Sequence, residues 1–120
     1  MTLINLSNHP SAQWGEKQRQ AALLFGPILD IPFPLVSPYA TDDEIDTLVD
    51  EYLKKILAAG ESTVMLQGEF TFTFRLLLKL RERNIPAVAA VSDRKSVEVT
   101  LPNGTTERRS IFEFVRFRPY

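Results

Sequence analysis

Four short apolar runs set the frame of this chain. They are Leu3-Ile4-Asn5-Leu6, Ile28-Leu29-Asp30-Ile31, Thr63-Val64-Met65-Leu66-Gln67 and Ala87-Val88-Ala89-Ala90-Val91. Each is bounded by polar or turn-forming residues, so each reads as a short strand buried on both faces. Helical stretches separate them. Ser11 reads as an N-cap after Pro10, and Ala12 to Phe25 carries a partial stripe of Trp14, Ala21, Ala22 and Phe25 before Gly26-Pro27 stops it. Pro32 to Pro38 is a loop, because each proline fixes φ and removes a donor.

The next helix is the clearest element. Thr41-Asp42-Asp43-Glu44 forms a capping box, and Ile45, Leu48, Val49, Tyr52, Leu53, Ile56 and Leu57 keep one helical face apolar. Acids open it, Lys54 and Lys55 sit near its end and Gly60 closes it, in agreement with the helix dipole. Phe70 to Arg83 reads as a third helix; Phe70-Thr71-Phe72-Thr73-Phe74 alternates like a strand, and Arg75 to Arg81 settles the later half as helical. Ser92-Asp93-Arg94-Lys95 reads as the turn that closes the fourth strand. Val97 to Leu101 and Ile111 to Phe117 then alternate around Pro102-Asn103-Gly104, which predicts a β-hairpin.

The order β-α-β-α-β-α-β followed by β-β implies an α/β fold. The expected form is a small Rossmann-like three-layer sandwich of four parallel strands in the order 2-1-3-4, extended by a C-terminal antiparallel hairpin. One domain over residues 1–120 is expected, with a β/α core over 1–95 and the hairpin over 96–120. A chain of 120 residues that is 44% hydrophobic supports a single core and is too apolar for a disordered protein.

Composition removes several chemistries. With no cysteine, disulfides, thiolate nucleophiles and zinc-thiolate clusters are excluded, and one histidine disfavours a His-rich metal site. No apolar run approaches the roughly 18 residues of a spanning helix, and the N-terminus lacks the pattern of a signal peptide, so the expectation is a cytoplasmic protein off the membrane. The net charge of −1 hides an asymmetry: residues 1–70 hold four Lys/Arg against ten Asp/Glu, and residues 71–120 hold ten against five. A duplex-DNA binder shows a domain-wide basic excess, which is missing here; a local basic patch for a small anion is not excluded.

In such folds ligands gather at the carboxyl ends of the strands. Three polar strand ends should converge there: Ser7-Asn8-His9, Gln67-Gly68-Glu69 and Ser92-Asp93-Arg94-Lys95. Gly68 before a helix lets a phosphate approach free N–H groups; alternatively it serves a turn that needs positive φ. His9 reads as a general base or phosphate donor, or as a hydrogen-bonding loop residue. Ser7 and Asn8 suit phosphate or base edges, or local backbone groups. Arg94 and Lys95 suit a phosphodiester clamp, or a solvated turn. Trp14 suits base stacking, or the core. Asp42, Asp43 and Asp46 read as helix-start chemistry with no metal spacing. No G-x-G-x-x-G or Walker A sequence occurs, which disfavours a dinucleotide cofactor or a P-loop.

Leu3 to His9, Val64-Met65-Leu66-Gln67-Gly68-Glu69-Phe70 and Pro86 to Arg94 together resemble the small stand-alone CRISPR-associated proteins with a CARF-like Rossmann fold, some of which are ring nucleases. The resemblance covers about the first 95 residues and leaves the hairpin out. It implies antiviral defence and a homodimer that binds a cyclic oligoadenylate, cyclic tetra-adenylate favoured, across its two-fold axis. In ring nucleases a ribose 2′-hydroxyl attacks the adjacent phosphate in line, without metal or other cofactor, and leaves a 2′,3′-cyclic phosphate. Carried onto this chain, His9, Arg94 and Lys95 take catalytic roles, and Ser7, Asn8, Gln67, Gly68, Glu69, Thr71 and Ser92 contact the ligand. Two other classes stay open: a sensor or sequestering protein that does not cut, and a scaffold that pairs with a partner through its hairpin.

Overall fold

The computed structural model describes all 120 residues. Its elements are β1 (Thr2–Ser7), α1 (Glu16–Leu23), β2 (Ile28–Asp30), α2 (Asp42–Ala58), β3 (Ser62–Gln67), α3 (Phe70–Glu82), β4 (Ala87–Thr100) and β5 (Thr106–Pro119). The sheet is mixed and runs β2-β1-β3-β4-β5. β1 pairs in parallel with β2 and β3, β3 pairs in parallel with β4, and β5 runs antiparallel along β4. No helix is long and apolar enough to cross a membrane.

Strand periodicity divides the core in two. Ile4, Leu6, Val64 and Leu66 face α2 and α3, meeting Val49, Ile56, Phe72 and Leu76. Leu3, Met65 and Val88 face the other way, against Ala22 of α1, Trp14 and Phe117. Helices therefore cover both faces, as continuous apolar strands require. Trp14 is core, its ring tilted at 54° to Phe117, which Phe25 meets edge-on. The capping box forms as expected: the Glu44 N–H donates to Thr41 Oγ1 at 3.2 Å, and Thr41 N–H donates to the Glu44 carboxylate at 3.2 Å. Arg75 of α3 ties the same helix start down, with contacts of 3.5 Å to Asp42 and 3.0 Å to Asp46.

Two expectations are corrected. The first helix does not start at Ser11. A single 3₁₀ turn spans Ser11–Gln13, Trp14 is extended, and α1 begins at Glu16 behind Gly15. Ser11 bonds Asp30 instead, its hydroxyl donating at 3.0 Å to the carboxylate at the end of β2. The second correction concerns Ser92-Asp93-Arg94-Lys95, which is not a turn. β4 runs through it unbroken, so the expected fourth strand and the first hairpin strand are one element. The expected division at residue 95 falls inside β4. β5 supplies the missing hydrogen bonds along its whole length, and a strand exposed on both faces has no need of an apolar pattern.

Beyond its short pairing with β3, β4 leaves the body as a two-stranded arm. The ladder slips between Val91 and Ser92, a bulge that redirects the strand pair. The arm stretches the molecule to 55 × 37 × 21 Å.

Candidate functional site

β3 and β4 pair main chain to main chain only at Val64–Ala87 and Met65–Val88. Gln67 then spans the widening gap with its side chain. Ala90 N–H donates to Gln67 Oε1 at 2.9 Å, and Gln67 Nε2 donates to the Ala90 carbonyl at 3.3 Å. The amide thus stands in for a peptide group and fixes where the strands part. On the α1 side of this fork lies a cleft of about 910 Å³.

Three walls enclose it. The first is the loop after β1, with Ser7, Asn8 and His9. The second is Trp14 and the first turn of α1, with Gly15, Glu16, Lys17 and Gln18. The third is the base of the arm, with Ser92, Phe112, Glu113 and Phe114; Gln67, Gly68, Met65 and Ala90 make the floor. The β1 loop is held by Asn5, which is 2% exposed. Its Nδ2 donates to the His9 carbonyl at 2.9 Å and to Asp30 at 3.0 Å, and its Oδ1 accepts from Ser7 Oγ at 2.7 Å. The Trp14 indole N–H donates to the same His9 carbonyl at 3.1 Å.

Six of the ten expected site residues therefore meet in one cleft: Ser7, Asn8, His9, Gln67, Gly68 and Ser92. Their roles are unequal. Ser7 is nearly buried and spends its hydroxyl on Asn5 and on the His9 N–H, so it shapes the loop. Gln67 is committed to Ala90. Asn8 and His9 are exposed at the rim, and the His9 imidazole makes no hydrogen bond within the protein.

The left-handed turn is not the reason for Gly68. It lies outside the positive-φ residues. A Cβ there would come within 2.2 Å of the Phe33 ring, which packs directly over it. The N-terminus of α3 is not free either. Glu69 caps it, its carboxylate accepting the Phe72 N–H at 2.7 Å and the Thr71 hydroxyl at 2.8 Å. The expected phosphate position at Gly68 and Glu69 is thus already filled by a carboxylate, and Glu69 and Thr71 belong to the cap. The Phe72 N–H holds the Glu69 carboxyl below its ordinary value of 4.5. The cap's contribution is complete above that value and fades as pH falls through the depressed one. Glu69→Gln is therefore expected to cost about 1 kcal/mol at neutral pH and less in acid; equal losses at both pH values, measured by urea unfolding, would contradict this.

Arg94 and Lys95 do not line the cleft. Alternation puts Ser92 and Arg94 on one face of the arm and Lys95 on the other. Arg94 stands one rung outboard, directly opposite Phe112, and donates to Ser110 Oγ at 3.1 Å. Lys95 pairs with Glu113 at 2.7 Å. That hydrogen bond raises the Lys95 pKa and lowers that of Glu113. Of this pair only Glu113 lines the cleft.

Sequence reasoning missed the most open anion position. No side chain caps α1, whose first residues line the cleft. Its first N–H groups are orphan donors, and the dipole favours negative charge there. Lys17 adds a cation, beside the carboxylates of Glu16 and Glu113 that line the same cleft. The signal was Gly15 ahead of Glu16, hidden by assigning Ser11 as the cap. Phe112 and Phe114 also escape sequence reasoning, because in the sequence the hairpin stands apart from the polar strand ends. Phe112 is 69% exposed and suits stacking against a base. No group of three or more His, Asp or Glu side chains is placed to hold a metal ion.

No curated protein and no solved structure matches the chain. A family model does match, over residues 1–118, and its description reads Uncharacterized protein MJ1673 family. That match takes in both helix-covered faces, the cleft and nearly all of the arm, so the arm that walls the cleft is part of the family's own pattern: the chain belongs to the MJ1673 family.

Proposed function

We propose that the protein is a cytoplasmic, Rossmann-like three-layer domain that binds a cyclic oligoadenylate in this cleft and retains it, two copies to one ring. The observation that carries the reading is the uncapped first turn of α1, which opens onto the cleft beside Lys17. It supplies N–H donors and positive charge for a phosphodiester. Phe112 and Phe114 supply aromatic surface for adenine, and Asn8 and Ser92 supply hydrogen-bonding groups. A ring of four nucleotides exceeds what one open cleft of about 910 Å³ encloses, which favours two clefts facing each other.

Retention is favoured over cutting because the expected catalytic set is dispersed. Of His9, Arg94 and Lys95, only His9 lines the cleft. In-line attack by a 2′-hydroxyl needs positioned charge at the phosphate as well as a base. The second reading, linearisation, rests on the unengaged His9 imidazole at the rim.

Labelled cyclic tetra-adenylate, incubated with the protein in EDTA, separates the readings. The expected result is intact, protein-bound ring at one ring per two chains. Lys17→Ala should weaken binding by roughly 10-fold or more, as expected for a charge-assisted contact. Linear products ending in a cyclic phosphate, lost in His9→Ala, would establish cutting. Absence of binding to any ring size would overturn the proposal.

A further inference from the structure

One face of α3 has no partner. Phe70 is 88% exposed, Phe74 62% and Leu78 47%. Their spacing of four residues aligns them along the helix, on the side away from the buried Phe72, Leu76 and Leu80. Arg81 continues the line. Beside it runs a groove of about 640 Å³, lined also by Tyr120. Single exposed apolar residues are ordinary, but a continuous row of them marks an interaction surface.

The charge along this row runs in one direction. Glu69 lies exposed at the N-terminal end of α3, held as a carboxylate by the Phe72 N–H. Arg81 lies at the other end, where Lys79 and Arg81 occupy the last turn, and it forms no ion pair. An identical helix laid antiparallel matches acid to base at both ends and opposes the two dipoles. It also places the apolar middle, Phe74 and Leu78, on itself. That is the self-complementary pattern of a two-fold interface.

We propose that the Phe70, Phe74, Leu78 and Arg81 face of α3 is where two copies of this chain pair, their α3 helices antiparallel about a two-fold axis. Phe74 and Leu78 of each copy pack across the axis. Glu69 of each faces Arg81 of the other, and Phe70 packs beside that guanidinium. The groove shares Gln67 and Gly68 with the nucleotide cleft on the opposite side of the fork. In that pair the two clefts lie on the outer sides of the sheets and at opposite ends of the α3 pair, so this contact is separate from any sharing of one ring between two clefts. The proposal does not rest on the nucleotide reading; the surface is argued from exposure and charge.

Molar mass from light scattering, without nucleotide, tests it. The expected mass is twice the chain's 13.6 kDa. Phe74→Glu and Leu78→Glu should each give a single chain, with circular dichroism unchanged, because both side chains are exposed in the monomer. Phe112→Ala on the arm should leave the doubled mass intact. Arg81→Glu and Glu69→Arg should each weaken pairing about tenfold or more when alone, and a mixture of the two should restore it, since both cross-axis ion pairs reform in the mixed dimer. A single-chain mass for the unaltered protein at micromolar concentration would overturn the proposal. So would doubled mass in both Glu variants, or dissociation by Phe112→Ala alone. A dimer that binds no cyclic adenylate sinks the nucleotide reading and leaves this one standing; a monomer that binds it does the reverse.

Discussion

Phe72→Ala is expected to lower the unfolding free energy by about 3–5 kcal/mol. Phe72 is fully buried between α3 and the sheet. Its ring meets Phe33 and Tyr52 edge-on, with centroids 5.2 and 5.6 Å apart. Truncation removes a large transfer term and leaves a hole between two helices that Arg75 already ties together. A domain of this size commonly has only about 5–15 kcal/mol in total, so the loss is a large part of it. The effect reaches the site as well. Phe33 is the ring lying over Gly68, and Phe72 is what Phe33 rests on. Urea unfolding at a fixed chain concentration should show a lower midpoint with an unchanged slope. A loss below about 1 kcal/mol would mean that α3 refills the space, contrary to the packing described.

Asn5→Ala is expected to cost about 2–3 kcal/mol and to weaken nucleotide binding in parallel. The substitution removes three hydrogen bonds from a buried amide. Ser7 Oγ keeps the His9 N–H and carbonyl, and the Asp30 carboxylate is exposed and keeps Ser11, so the loss is that of the three bonds themselves, about 0.5–1.5 kcal/mol each. It also leaves the His9 carbonyl to the Trp14 indole at 3.1 Å and the Ser7 hydroxyl at 3.3 Å. The loop bearing Asn8 and His9 is then no longer pinned to β1 and β2. Affinity for cyclic tetra-adenylate should fall about tenfold or more, measured under conditions where the variant is still folded. Lost stability with unchanged affinity would show that this loop does not contact the ring.

Much of the fold was legible because its signals are local. Thr41 and Glu44 read as a capping box and form one; the Ile45-to-Ile56 spacing reads as a buried helical face and is one. Parallel pairing in an α/β fold was implied by apolar runs alternating with helices, while the strand order and the mixed sheet with antiparallel β5 come from the structure. What escaped depends on partners distant in sequence. Ser92 to Lys95 look like a loop because nothing nearby shows that Phe114 to Ile111 will pair with them. Ser11 looks like an N-cap until Asp30 claims it. Gly68 looks like a ligand contact or a left-handed turn, and its reason is the ring of Phe33, 35 positions earlier. The site was half legible for the same cause. Strand ends are visible in sequence, while the free start of α1 and the arm's aromatic wall appear only once the chain is folded.

The arm also governs how the molecule moves through solution. Its Cα radius of gyration is 17.2 Å, against about 13.6 Å for a compact chain of this length. A single copy should therefore tumble slowly and meet more frictional drag than its mass suggests. On a sizing column calibrated with spheres it should emerge early and pass for a larger species. Elution volume alone would then report a dimer whether or not one exists, and X-ray scattering should show a pair-distance distribution with a long tail out to the arm's reach.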